Sequence, residues 1–144
     1  MKNIFSCACV SKWSDVAPLI LRVTVGLVFA MHGWQKLTVM GIPGVTGFLA
    51  SLGFPLPGLF AILLIAAELG GGIAVILGFM THWAAKALVV VAAIALLTVH
   101  ISHGFFLQTG GFEFILLILG VSASLVITGP GKYSLDHSMK KKHA

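Results

Sequence analysis

At 144 residues the chain could form one ordinary domain, but it is 58% hydrophobic and only 9% charged, with a mean hydropathy of +1.07, too little polar surface to coat a water-soluble globule. The formal net charge of +5 would suit nucleic acid if it covered one face. It is gathered instead in the tails, at Lys2, Lys12, Lys132 and Lys140 to Lys142, where it reads as an anchor to anionic lipid; the lipid bilayer is the expected partner and nucleic acid is not.

In chain order, residues 1–15 read as a cytoplasmic N-terminal tail. Its Cys7 and Cys9, in "FSCACVS", cannot make a disulfide framework between them and read as incidental, with metal binding or lipidation as alternatives. A secretory leader is disfavoured, because the apolar run that follows is longer than such leaders use and contains Arg22. Four apolar runs then follow, Val16 to Gly33, Pro57 to Phe79, Trp83 to Ile101 and Phe112 to Ile127. Each approaches the roughly 20 residues of a spanning helix. They are continuous instead of alternating, which favours helices over a barrel. The predicted class is therefore all-α: a four-transmembrane-helix bundle over residues 16–131, with both termini cytoplasmic by the distribution of basic residues and a basic cytoplasmic tail at 132–144.

Pro18 and Pro57 stand in the first turns of spans one and two, where a missing N–H costs nothing. The connection "TVMGIPGVTGFLASLGFPLP" holds four Gly and three Pro, yet also Phe48, Leu49, Leu52 and Phe54. It reads as an interfacial loop with a short amphipathic helix around Val45 to Leu52, over the outer mouth of the bundle. "HGW" at His32 and "HGF" at His103 hint at a duplicated two-span hairpin, too briefly to build on. In span two, Ala66, Gly70 and Ala74 form a small-xxx-small face suited to close helix packing.

Ionisable groups within spans are costly and normally face the protein interior. At about 1.5 Å per residue, Arg22 lies roughly 9 Å above the inner start of span one and Glu68 roughly 16 Å below the outer start of span two. The preferred reading is a buried Arg22–Glu68 ion pair that locks the two spans; the alternative makes Glu68 a proton carrier. At the outer end, His32, Lys36, His100, His103 and Glu113 arrive at one level from three helices, with Trp34 beside them. Interfacial anchoring explains any one of them. Their shared faces favour a candidate ligand-binding cluster, since imidazoles can pass protons or donate to a carbonyl oxygen while Lys36 and Glu113 supply charge. A quinone head group, flat and edged with oxygen, fits walls expected from Trp34, Phe105, Phe106 and Phe112. Haem held by two His is a weaker reading, and a metal site is not expected, for want of compact ligand spacing.

The ordered set "LILRVTVGLVFAMHGWQKL", "FLASLGFPLPGLFAILLIAAELGGGIAVILGFMTHWAAKAL", "VHISHGFF", "GGFEF" and "GPGKYSLD" resembles the DoxX family of small membrane proteins from about Ala17 to Asp136. The family pattern carries over at Arg22, His32, Gly33, Lys36, Glu68, Gly78, His103, Gly104 and Glu113. The resemblance implies a four-helix bundle in the bacterial inner membrane and an association with redox or oxidative-stress metabolism; it leaves the cofactor unknown, with a quinone as the candidate. No catalytic residue follows from it. Two functions remain open: a quinone-interacting oxidoreductase component, or a non-catalytic subunit that docks a redox enzyme or other membrane complex, as a homo-oligomer or alone. A small transporter is a third and weaker reading.

Overall fold

The computed structural model describes residues 13–142; Cys7 and Cys9, with Lys2 and Lys12, lie outside the described residues. Among the described residues six α-helices follow in order: α1 Val16–Gln35, α2 Gly41–Ser51, α3 Pro57–Leu77, α4 Thr81–Ala95, α5 Glu113–Thr128 and α6 Leu135–Lys142. A π-helical turn, Lys36–Met40, carries α1 into α2, and a second, Leu96–His100, extends α4. Helices α1, α3 and the extended α4 are long and apolar enough to cross a membrane. The apolar α5, at 16 residues, completes the four-helix bundle. The start of α1 and the end of α5 meet at one end of the bundle, here the terminal end, where Lys132 approaches Asp15. The opposite, distal end carries α2 and the loop between α4 and α5.

Each long helix buries one stripe at a spacing of three or four, which is why these runs are bundle helices. In α1 the stripe is Arg22, Val25, Gly26, Phe29 and Gly33; in α3 it is Ala61, Ile65, Glu68, Gly72 and Val75. These two stripes meet so closely that a β-carbon on Gly72 would stand 2.6 Å from the Ala30 nitrogen and one on Gly33 2.5 Å from the Leu69 nitrogen. The close seam thus runs through Gly72. The small-residue face expected at Ala66, Gly70 and Ala74 turns away, with Ala66 and Gly70 exposed and nothing within 4 Å of a β-carbon on Gly70.

The antiparallel register set by Gly26 against Gly72 and Ile76 overturns one expectation. Arg22, four residues before Gly26, is level with Gly78, about 15 Å along the axis from Glu68. No Arg22–Glu68 pair forms: Glu68 is bound by Lys36 instead. The depths differ from that expectation because it puts the start of α3 level with the end of α1 at the outer boundary, whereas the π turn and α2 let α3 begin well beyond the end of α1. The short helix expected around Val45 to Leu52 is α2, and it packs on the bundle. Val45 and Leu49 are buried against Ala61 and Ile65 of α3, forming a small second core beside the main one.

At the terminal end, the segment after α5 returns beneath the bundle. Fully buried Arg22 donates from Nη2 to the Tyr133 carbonyl, the Asp136 N–H donates to the Gly78 carbonyl at 2.9 Å, and the Asp136 carboxylate accepts the N–H groups of Met80 at 2.8 Å and Thr81 at 2.9 Å. Asp136 therefore supplies from outside the cap that the start of α4 lacks in its own sequence. Met80 sits there at φ +46°, a left-handed conformation unusual for its side-chain type. Burial works to raise the Asp136 carboxyl, but the Thr81 and Met80 hydrogen bonds, with Lys140 nearby, hold it below the usual carboxylate range. Residues 132–142, expected as a tail, thus form a strap whose first part is fixed to the bundle.

Candidate functional site

A groove of about 680 Å³ lies between α2, α3 and α4 at the distal end, within the usual size of small-molecule sites. Its walls are apolar, with Phe48 of α2, Phe54 and Phe60 as its aromatics and Leu63, Val90 and Ile94 as exposed lips. The polar groups along it are Lys36, Glu68, Thr98 and His100. Their depths differ. Gly71 faces Leu88 across the α3–α4 contact, which puts Glu68 level with Val91, and His100 lies about 14 Å further toward the distal mouth.

At the inner end of the groove, the Lys36 ammonium donates to both Glu68 oxygens, at 2.6 and 2.9 Å. The Glu68 side chain is 8% exposed and that of Lys36 19%. Two charges removed from water in an apolar bundle require each other, and breaking such a pair leaves an uncompensated charge. The first residue of the π turn is Lys36 itself, and π turns recur at functional sites because they re-aim side chains that a regular helix would point elsewhere. The second π turn ends on His100, so both lie on the groove.

The outer cluster expected from the sequence is divided. Lys36 and His100 line the groove, whereas His32, His103, Glu113 and Trp34 do not. His32 and Trp34 are exposed on α1. On a helix of about 100° per residue, His32 stands some 40° further from the buried stripe than Lys36, enough to put it outside. His100 and His103 both stand beside Gly110, His100 bonding its carbonyl at 2.8 Å and the His103 ring lying 3.8 Å from where a β-carbon on Gly110 would be, but only His100 lines the groove. Glu113 is spent on the loop, accepting the Leu107 N–H at 2.7 Å. Phe105 packs edge-on against Phe106 and Phe112, at centroid distances of 5.5 and 5.4 Å, instead of walling a ligand site.

The three imidazoles are fixed alike, each Nδ1 donating to a carbonyl: His32 to Val28 at 2.9 Å, His100 to Gly110 and His103 to Val99 at 2.8 Å each. In their neutral forms all three therefore present the lone pair on Nε2. Among the described residues no group of three or more His, Cys, Asp or Glu is placed to hold a metal. What sequence reasoning missed as site members were Glu68, assigned to a structural pair, and the three groove phenylalanines. The signal for Phe48 and Phe54 was present in a connection too apolar to be a free linker.

Comparison with known proteins agrees with this architecture. Residues 17–101 match the family described as DoxX. The inner membrane protein YqjF of Escherichia coli is 35% identical, over 91% of this chain and 98% of its own. The inner membrane protein YphA of the same organism is 36% identical, over 82% of this chain and 86% of its own. A Bacillus subtilis protein named "Putative oxidoreductase CatD" is 32% identical, over 88% of this chain and 89% of its own. No solved structure matches.

Proposed function

From the premise that the chain belongs to the DoxX family and is a multi-pass protein of the bacterial inner membrane, we propose that its distal groove binds a quinone head group as part of membrane redox metabolism. The oxidoreductase name carried by the B. subtilis relative supports this direction. The observation that carries it is the Lys36–Glu68 pair at the inner end of a mainly apolar groove.

An ammonium has three N–H donors, and two are directed at Glu68, so Lys36 keeps one for a carbonyl oxygen in the groove. The Glu68 oxygens retain lone pairs that can accept a hydrogen bond from a hydroxyl of the reduced, quinol form. Phe48, Phe54 and Phe60 give the flat ring and its apolar tail a dry wall, and His100 stands at the mouth. A bound quinone supplies two-electron, two-proton chemistry that no side chain lining the groove possesses. The electrons come from a redox enzyme in the same membrane, which makes this chain a component of a larger assembly.

A quinone analogue with a short alkyl tail should raise the melting temperature of the detergent-solubilised protein by linkage, about 2.7 kcal/mol at a hundredfold excess over its Kd. The neutral double variant Lys36→Met with Glu68→Gln should remain folded and lose that shift, whereas His32→Ala should retain it. A flat titration of folded wild-type protein across several quinones would reject the binding reading and leave the chain as a docking subunit for a redox enzyme.

A further inference from the structure

The terminal end holds a second cavity, about 400 Å³, between the start of α1 and the strap. It is lined by Asp15, Gly131, Lys132, Asp136, His137 and Lys140. We propose that it is a binding site for the phosphate of an anionic phospholipid in the leaflet at the terminal end of the bundle.

The two carboxylates do not cancel this assignment. Asp136 already accepts the Met80 and Thr81 N–H groups at the positive end of α4, and the buried Arg22 guanidinium attracts it from beneath. Nε and Nη1 of that guanidinium have no hydrogen-bond partner, so its charge is offset by the Asp136 carboxylate and not consumed elsewhere. Asp15 touches Lys132 only at 3.9 Å, with both side chains at least half exposed, a contact of little energy. With Asp136 offset by Arg22, Lys132 and Lys140 against Asp15 therefore leave the cavity with one net positive charge.

The cavity is also placed where headgroups are. Trp13, Trp83 and Tyr133, all more than half exposed, stand at this end, and amphipathic aromatic rings of this kind seat at the headgroup level. The walls are held in position: Arg22 and Asp136 fix the strap, and Gly131 packs so closely that a β-carbon there would lie 2.9 Å from Pro18. A free phosphate ion offers the same charge, but only a lipid also places an acyl region against the exposed Leu135 and Met139 of α6.

The test uses the full chain in neutral-detergent micelles doped with phosphatidylglycerol, phosphatidylcholine or inorganic phosphate, read by hydrogen exchange across residues 131–140 and by melting. Phosphatidylglycerol should slow exchange in the strap, and phosphatidylcholine should not. Lys132→Gln with Lys140→Gln should weaken the phosphatidylglycerol effect about 30-fold, from about 1 kcal/mol for each lost charge near a surface. Lys86→Gln removes a cation from the same end, one held over Trp83 outside the cavity, and should change it less than about twofold. Equal losses per charge for Lys86→Gln would mean a diffuse field and no site. Equal protection by phosphatidylcholine, or by inorganic phosphate alone, would also overturn the lipid assignment. Both lysines are exposed, and melting in phosphatidylcholine micelles reports whether the double variant is folded; Lys140→Gln alone, expected at about fivefold, is the fallback. The distal groove is untouched by these variants, so their outcome is independent of the quinone reading.

Discussion

The two ends of the bundle handle buried charge in opposite ways. At the terminal end Arg22 is enclosed, packed under Gly78 and Ser134 and bonded to a backbone carbonyl, and the strap leaves it no exposed surface. At the distal end Lys36 and Glu68 satisfy each other but remain in contact with a groove. The first arrangement fixes a fold; the second leaves a charged pair available to a third group. A charge in a membrane helix is thus no proof of function by itself, and what separates the cases is whether space remains beside it.

The contrast breaks most severely at Gly78. It adopts φ +69°, and a β-carbon there would stand 1.6 Å from the Arg22 Nη1. Gly78→Val should cost about 2 to 6 kcal/mol, combining a left-handed branched residue with overpacking, and should appear as loss of the monodisperse peak in detergent. Next comes Glu68→Gln, which strands Lys36 at a cost of about 3 kcal/mol, the low end for buried pairs because the lysine keeps 19% of its side chain exposed. A double-mutant cycle sharpens the point: Glu68→Gln should couple strongly to Lys36→Met and add within about 0.5 kcal/mol to Arg22→Leu. Strong coupling to Arg22 would contradict the register described above.

A smaller effect is expected at Asp136, where Asp136→Ala removes the acceptor for two N–H groups and should cost about 0.5 to 2 kcal/mol, as lost helix caps do. The pH dependence follows from the direction of its shift. With the folded carboxyl held below its ordinary value of 3.8, its stabilisation is fully present above that value and is lost as pH falls through the lower folded value. Pepsin cleavage in the strap, at the exposed Leu135, should therefore begin only in that acid range and earlier in Asp136→Ala. Smallest of all, His32→Ala should change stability by no more than about 0.5 kcal/mol, since the ring is exposed and bonds only its own helix.

The helices were legible because apolar run length and a buried stripe at helical spacing are properties of the chain itself: the starts expected at Val16 and Pro57 are the starts observed. Pairing between helices was not, because it depends on register, and register here comes from glycines whose significance lies in what they face. Gly26 meeting Gly72 moves Arg22 away from Glu68 and brings Lys36 to it, which no count along one helix reveals. The polar residues of the distal end divide for a related reason. The first π turn begins at Lys36 and the second ends at His100, the two that line the groove, while His32 stands on the regular helix before the first turn, roughly 40° outside. The strap was unreadable because "GPGKYSLD" is polar and follows the last span, as any tail would, and its docking is visible only once Arg22 and the start of α4 are seen beneath it.

The bond from Arg22 to Tyr133 joins residues 111 positions apart, and that separation is also a delay. A ribosome adding about 5 to 20 residues per second needs roughly 6 to 22 s to make the second partner after the first. Throughout that interval the first helix carries a guanidinium with neither its carbonyl nor Asp136 yet synthesised. The nascent chain must hold this arginine at the membrane surface or in a hydrated passage of the insertion machinery, so the first span reaches its final depth only near the end of translation. Chains truncated before Tyr133 should consequently be the ones a membrane quality-control protease removes, even though all four spans are already present.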